Sequence, residues 1–316
     1  MKHDRLAFAP GETLFSQGMT DFGYQTKRSR ATIQARIALI SVLALFAWRP
    51  GSFAQQRAER EITPIKGDLY RFRNAGHYSV FLVTPAGIIA TDPIDAEAAR
   101  WLKAEIAKRF QKPVKYLIYS HDHADHISGG EVFTDTAIVI AHDNAKAAIK
   151  NERRPTAVPD LTFSDRLTVE LGGKRVELVY LGKNHSDNSI VLLFPDERVM
   201  FAVDFIPVKS LPFRNFPDSY IDEWIDSLKK AEALDFDILA PGHGELGKKD
   251  DVQAMRVYLE ELRDQVLQYL RTGKSVGEIK QLVTMDKYAS WGNYKNYLPL
   301  NIEGMVRHLQ AHRIPN

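Results

Sequence analysis

The stretch YSHDHADHISGG, residues 119–130, sets His121, Asp122, His123, Asp125 and His126 within six consecutive positions of a chain that has only ten histidines. Imidazoles and carboxylates are costly to bury without partners. Imidazole nitrogens mixed with carboxylate oxygens are a donor set for Zn²⁺ and other borderline divalent cations, unlike the all-oxygen shell of calcium. Alternate residues of an extended segment face the same side. His121 and His123 can therefore converge on one ion, while Asp125 and His126 turn toward a neighbouring one where a helix begins. The chain has no cysteine, which excludes disulfides, thiolate ligands and a cysteine nucleophile.

Three further residues have the right chemistry and the right kind of place. His185 lies in LGKNHSDNS between two strand-like runs, Asp204 ends the apolar run RVMFAVD, and His243 follows DILAP in PGHGE. Each stands at a strand end, where loops converge and side chains can meet.

The elements that must position these residues read as an alternation. Strand-like runs at 69–73, 78–84 and 87–91 precede a helix over 96–110, which ends before Pro113. A buried strand at 114–120 delivers the histidine cluster. Further strands are expected at 137–141, 166–171, 174–181, 189–194, 198–203 and 237–241. Helices are expected at 143–150 and 219–234, and 152–160 reads as a Pro-containing loop. From about 250 the pattern turns helical, with a Ser275/Glu278 capping box and a last helix near 301–313. Strand blocks interrupted by helices predict the α/β class, specifically an αββα sandwich with helices on the outer faces of two sheets and a C-terminal helical appendage.

The ordered series His121-x-His123-x-Asp125-His126, then His185, Asp204 and His243, resembles the complete metal-binding motif set of the metallo-β-lactamase-fold hydrolase superfamily. Gly129-Gly130, FPDERVMFAVD and PGHG support the likeness, which covers roughly residues 62–247. The resemblance implies His121, His123 and His185 around a first metal and Asp125, His126 and His243 around a second, with Asp204 bridging. It implies two Zn²⁺ per chain, with iron or manganese as alternatives. A hydroxide shared by the ions would be the nucleophile at neutral pH, and Asp125 the catalytic residue that orients it and carries a proton. Zinc β-lactamases of that superfamily usually place Cys or Ser where Asp204 stands, whereas its thioesterases, lactonases and phosphodiesterases keep the aspartate. Hydrolysis of an ester or amide bond, lactone or β-lactam in type, is the expected activity on a small-molecule substrate. The alternatives are a glyoxalase-II-like thioesterase or phosphodiesterase, an iron-dependent sulfur-dioxygenase-like oxidoreductase, and a metal-bearing binding protein without turnover.

The first fifty residues carry a separate message. The apolar run 37–48, IALISVLALFAW, follows Lys27, Arg28, Arg30 and Arg36 and precedes the small-x-small pattern Ser52-Phe53-Ala54. Residues 1–54 read as a secretory signal peptide, with Met19 as an alternative start. Twelve apolar residues fall short of the roughly 20 that a membrane span needs, so no stable span is expected after cleavage. The expected location is periplasmic or secreted, and retention as an anchor is left open. Residues 55–247 would form the hydrolase domain and 248–316 the helical appendage. The formal net charge of +2 comes from 42 basic and 40 acidic residues. Seven of the former and three of the latter lie in 1–54, leaving 35 and 37 and no argument for nucleic-acid binding. A homo-oligomer is left open.

Other residues read as structural. His142 opens a helix, and His77 in RNAGHYS marks a strand turn that could border the pocket. His308 and His312 lie four apart on a solvated helix face. Ser186 and Asn188 flank His185 and could orient it. The loop FIPVKSLPFRNFP (205–217), with Phe213, Phe216 and Trp224, and the tail YASWGNYKNYLP (288–299) could wall or lid a cleft or serve as packing.

Overall fold

In the structure, a computed structural model, residues 59–311 are described. The expected signal peptide over 1–54 and His312 lie outside the described residues. Among the described residues no helix is long and apolar enough to cross a membrane.

Two sheets form the centre. The first runs β1 (Arg60–Lys66), β2 (Leu69–Asn74), β3 (His77–Thr84), β4 (Gly87–Thr91), β5 (Val114–Ile118), β6 (Ile138–His142) and β7 (Leu161–Phe163) in that order. β1 to β4 are an antiparallel meander, and β4 to β7 pair in parallel. Parallel neighbours need a crossover, which α1 (Ala96–Phe110) supplies between β4 and β5. The second sheet has the order β12-β11-β10-β9-β8, from β8 (Arg166–Leu171), β9 (Lys174–Val179), β10 (Val191–Phe194), β11 (Val199–Phe201) and β12 (Ile238–Ala240). Its one parallel pair, β11 with β12, is joined through α4 (Ile221–Glu232).

Side-chain alternation along the strands produces the layers. On β3, Val80 and Leu82 face the second sheet while Phe81 faces outward; on β6, Ile140 faces inward and Val139 and Ala141 outward. The outward residues pack under α1 and α3 (Asp143–Glu152), which contribute Ala98, Leu102, Ile106 and Ile149. On the second sheet Leu192, Phe194 and Phe201 join the inter-sheet core, and Val191, Leu193 and Met200 face the opposite layer. Strands buried on both faces read as continuous apolar runs, and the αββα sandwich is as expected.

The opposite layer is built by α4 together with α5 (Lys249–Arg271), α6 (Val276–Leu282) and α7 (Tyr294–Ala311). One apolar cluster continues from Met200 and Trp224 through Tyr258 and Leu262 to Ile302 and Met305. The described residues belong to one compact unit. α6 starts at the Ser275/Glu278 capping box that its sequence announces.

Three elements differ from the sequence reading. β1, REITPIK, is an additional strand of polar residues at the sheet edge, where charges and a proline such as Pro64 are tolerated. β7 is a three-residue edge strand just beyond the expected loop. The last helix begins at Tyr294, not near 301, and continues through Pro299. The lost backbone hydrogen bond at Pro299 is offset by Trp291, Tyr294 and Tyr297 packing on the helical layer.

That layer also grips the loop that follows Asp204. Leu211 N donates to Gly292 O at 3.0 Å and Gly292 N to Lys209 O at 2.8 Å. Asn301, fully buried, accepts from Tyr258 Oη at 2.7 Å and donates to Pro212 O at 3.0 Å and to Arg214 O. Arg307 donates to Asn215 O at 2.5 Å. The tail aromatics therefore act as packing: Tyr288 is buried between Tyr258 and Trp291.

Candidate metal centre

β5 ends at Ile118, and Tyr119-Ser120 carry the chain out of the sheet. Asp92, fully buried after β4, accepts a 2.8 Å bond from Ser120 N. Ser120 Oγ lies 2.9 Å from His121 Nδ1, which leaves His121 Nε2 facing the site. His123 is the N-cap of the short α2 (Ala124–Ile127), so Asp125 and His126 are carried by its first turns. Gly130 follows because space demands it: a Cβ there would lie 1.8 Å from Tyr119 Oη.

Asp122, the fifth acidic or imidazole residue of the cluster beside the four candidate ligands, faces elsewhere. It accepts from Asn188 Nδ2 at 2.8 Å and from Arg154 Nη2 at 2.9 Å, and its own N donates to Asn188 Oδ1 at 3.0 Å. Asn188 thus ties the cluster to the β9–β10 loop that carries His185. Ser186 Oγ meets Ser189 Oγ at 2.7 Å. Neither side chain meets the His185 ring as the sequence had suggested; both hold the loop. Ser219 Oγ donates to the His185 carbonyl at 3.3 Å.

Asp204 stands one turn past β11, between two sets of histidines. Its Oδ2 lies 3.7 Å from His121 Nε2 and 3.5 Å from His185 Nε2. Its Oδ1 lies 3.3 Å from His126 Nε2 and 3.2 Å from His243 Nε2. His185 Nε2 is 3.1 Å from His123 Nδ1, and His243 Nε2 is 3.2 Å from His126 Nε2. Two ligand atoms each about 2.0–2.1 Å from one tetrahedral cation sit roughly 3.3–3.4 Å apart, so these separations are those of ligand atoms sharing an ion. His121, His123, His185 and Asp204 form one compact donor group, and His126, Asp204 and His243 another.

The free valences agree with that geometry. His121 Nε2 is shielded from solvent and makes no hydrogen bond, the condition of a donor able to take a cation. Besides His121, whose Nδ1 meets Ser120 Oγ, two more imidazoles have their remote nitrogens engaged, as metal-binding imidazoles do. Asp218 Oδ2 lies 3.3 Å from His123 Nε2, and the Gly76 carbonyl accepts from His243 Nδ1 at 3.0 Å. Gly242 allows the approach: a Cβ on it would meet Val203 Cγ1 at 2.4 Å and His126 Cε1 at 3.0 Å.

The electrostatics divide the ligands. Burial holds His121 well below the ordinary imidazole range and pulls His185 to about 4, so both are neutral donors. Burial also disfavours the His126 imidazolium, but the Asp204 carboxylate beside it wins and raises it to about 9. His243 is raised by the same carboxylate against its burial. Asp204, despite burial, is held well below the carboxylate range by His126, His243 and His185. Burial opposes the Asp125 charge, yet its bond with His77 and the nearby His126 lower it to about 2. Burial lifts Asp92 to about 6. The proton on His126 stands in for cationic charge.

Asp125 is the more exposed ligand. Its Oδ2 lies 3.7 Å from His126 Nε2 and 3.3 Å from His77 Nε2. It shares a compact group with His77 and His243 and not with Asp204. Sequence reasoning missed two residues here. His77 had only a turn position to recommend it, and Asp218 lies on a loop with no recognisable spacing.

The remaining candidates are structural or peripheral. His142 caps α3, accepting from Asn144 N at 3.1 Å, and its Nε2 lies 3.0 Å from Ser164 O. His308 pairs with Asp222 at 3.1 Å. Phe216 and Trp224 are core, Trp224 Nε1 donating to Phe205 O at 2.9 Å, whereas Phe213 is 49% exposed.

Comparison with known proteins gives the same picture. The family model of the metallo-beta-lactamase superfamily matches residues 91–243, from the end of β4 to His243. The 2,4-dinitroanisole O-demethylase subunit alpha of Nocardioides sp. (strain JS1661) is 29% identical over 185 residues, 57% of this chain and 56% of that protein. This chain thus spans little more than half the length of that relative. The metallo-beta-lactamase type 2 of Bacillus cereus is 27% identical over 172 residues, 53% of this chain and 67% of that one. Among solved structures, a metallo-beta-lactamase from Pontibacter korlensis superposes with a TM-score of 0.58 at 19% identity, covering 64% of this chain and 99% of its own. With the ordered ligand series, the two-sheet sandwich and the family match in agreement, residues 91–243 form a domain of the metallo-beta-lactamase superfamily.

Proposed function

We propose that the protein is a dinuclear zinc hydrolase that cleaves an ester or amide bond, of lactone or β-lactam type, in a small substrate. The observation that carries this reading is Asp204, whose two oxygens face different histidine sets at 3.2–3.7 Å. One carboxylate so placed suits a bridge between two cations. His121, His123 and His185 would hold the first cation; Asp125, His126 and His243 would hold the second. Bound there, the cations would supply an acidified water and a Lewis acid for the scissile carbonyl.

The chain's own residues do the rest. Asp125, half exposed and ionised, is the group placed to orient the attacking water and to pass its proton to the leaving group. Asp218 and the Gly76 carbonyl hold their imidazoles in the ligating tautomer. The loop after Asp204 presents Phe213 to solvent, an apolar wall for a small organic substrate. The leader-like segment supports export to the periplasm or outside the cell, and the balanced charge of residues 55–316 supports a partner that is not nucleic acid.

The test is turnover by the zinc-loaded protein on ester, lactone, β-lactam, thioester and phosphodiester substrates, with oxygen uptake and metal content measured alongside. Asp125→Ala should retain the fold and lose activity by about 100-fold or more. Preference for thioesters or phosphodiesters would redirect the substrate class. Iron with oxygen consumption, or an Asp125→Ala protein as fast as wild type, would refute the proposal.

A further inference from the structure

The donors at the second cation's position do not end with the expected series. His77 opens β3 at the tip of the β2–β3 hairpin, far from the other ligands in sequence, and its Nε2 lies 3.3 Å from Asp125 Oδ2. That oxygen is the one facing His126 Nε2 at 3.7 Å, so it is the oxygen that points into the site. A separation of 3.3 Å is that of two donors that can share one ion with bonds of about 2.0–2.1 Å, here in a shell of more than four. It also matches the His126–Asp204 and His243–Asp204 separations in the same centre. The His77 and His243 rings stand edge to face with centroids 4.6 Å apart. One donor atom from each of His77, Asp125 and His243 falls within 4.8 Å of the others.

The hairpin tip is built to hold this position. On one side of His77, the Gly76 carbonyl accepts the His243 Nδ1 proton at 3.0 Å; on the other, Tyr78 N donates to Gly242 O at 2.8 Å. Arg71 of β2 donates to Pro241 O at 3.2 Å and Gly244 O at 2.6 Å, and its guanidinium lies 3.5 Å over the Tyr78 ring. Residues on both sides of His77 are thus stitched to the loop that carries His243. A surface histidine paired with an aspartate by chance would not need such a frame.

We propose that His77 is a ligand of the second cation, coordinating through Nε2 beside Asp125, His126 and His243. Resting on the two-cation reading above, this gives the second position three imidazoles, as the first has in His121, His123 and His185. The more exposed cation is then held from its open side by the β2–β3 hairpin.

The test is cobalt titration of the full chain, wild type against His77→Gln and His77→Ala, read by chelator competition and by the hyperfine-shifted imidazole N–H resonances. Glutamine can keep a hydrogen bond to Asp125, whereas alanine removes it. Both variants are expected to keep the first cobalt at wild-type affinity, which shows that the fold is intact. Both should bind the second at least about tenfold more weakly and show one fewer shifted imidazole resonance. If His77→Gln keeps wild-type second-cobalt affinity and all the resonances, His77 is only a hydrogen-bond partner of Asp125 and the proposal is overturned. If the wild type binds fewer than two cobalt ions, the two-cation reading falls and this proposal with it.

Discussion

Asp204→Asn is the substitution whose effect can be worked furthest from the structure. Asparagine preserves the shape of the side chain and removes the charge that faces His121, His126, His185 and His243 at 3.2–3.7 Å. In the metal-free protein the carboxylate raises the fully buried His126 from 6.5 to about 9. That difference corresponds to about 3 kcal/mol of folding stability. Because the folded-state value is the higher one, the contribution is complete below 6.5 and is lost as pH climbs through about 9. With asparagine in place, burial acts on His126 unopposed. Urea unfolding after chelator treatment should show Asp204→Asn about 3 kcal/mol less stable at pH 6, with the deficit closing by pH 10. Zinc competition on the same protein should show both cations weakened, since the residue faces both sets. An equal deficit at pH 6 and pH 10 would mean that packing, not charge, accounts for the loss and would refute the reasoning.

Three further outcomes follow from the same geometry. At pH 7 the proton on His126 must leave when a cation enters, so zinc uptake should release about one proton per chain, and apparent affinity should climb with pH until about 9; calorimetry in two buffers of different ionisation enthalpy measures this, and uptake without release contradicts it. Asp218→Asn removes the carboxylate from His123 Nε2 and should weaken the first cation about tenfold with little change at the second, an effect that chelator competition reads directly. Asn301→Ala strands the Tyr258 hydroxyl and the Pro212 and Arg214 carbonyls and should cost about 3 kcal/mol in urea unfolding; a loss below about 1 kcal/mol would show that the helical layer does not depend on this clamp.

The site was legible where residue type and local position coincided. His121, His123, Asp125 and His126 follow an unmistakable buried strand, and His185, Asp204 and His243 each end or flank an apolar run. The layers were legible for a similar reason, since strands such as FLV and VLLF carry their burial in their composition. β1 escaped because an edge strand need not be apolar, and β7 because three residues after a proline leave no periodicity to read. His77 and Asp218 escaped for a deeper reason. Their contacts to Asp125 and His123 depend on how the hairpin tip and the Asp204 loop meet the centre, and no spacing along the chain encodes that.

The ligands also come from opposite halves of the sandwich. His121, His123, Asp125 and His126 extend from β5 of the first sheet, whereas His185, Asp204 and His243 extend from strands of the second. A cation held among them is therefore a rivet between two leaves that otherwise separate by exposing the apolar seam of Val80, Leu82, Ile140, Leu192 and Phe201. Prying the leaves apart would require breaking coordination bonds before any of that seam is wetted. The consequence is one of lifetime: a loaded molecule would persist against heat, agitation and proteases far longer than its resting free energy alone suggests, and a chelator would act on it as a solvent acts on glue.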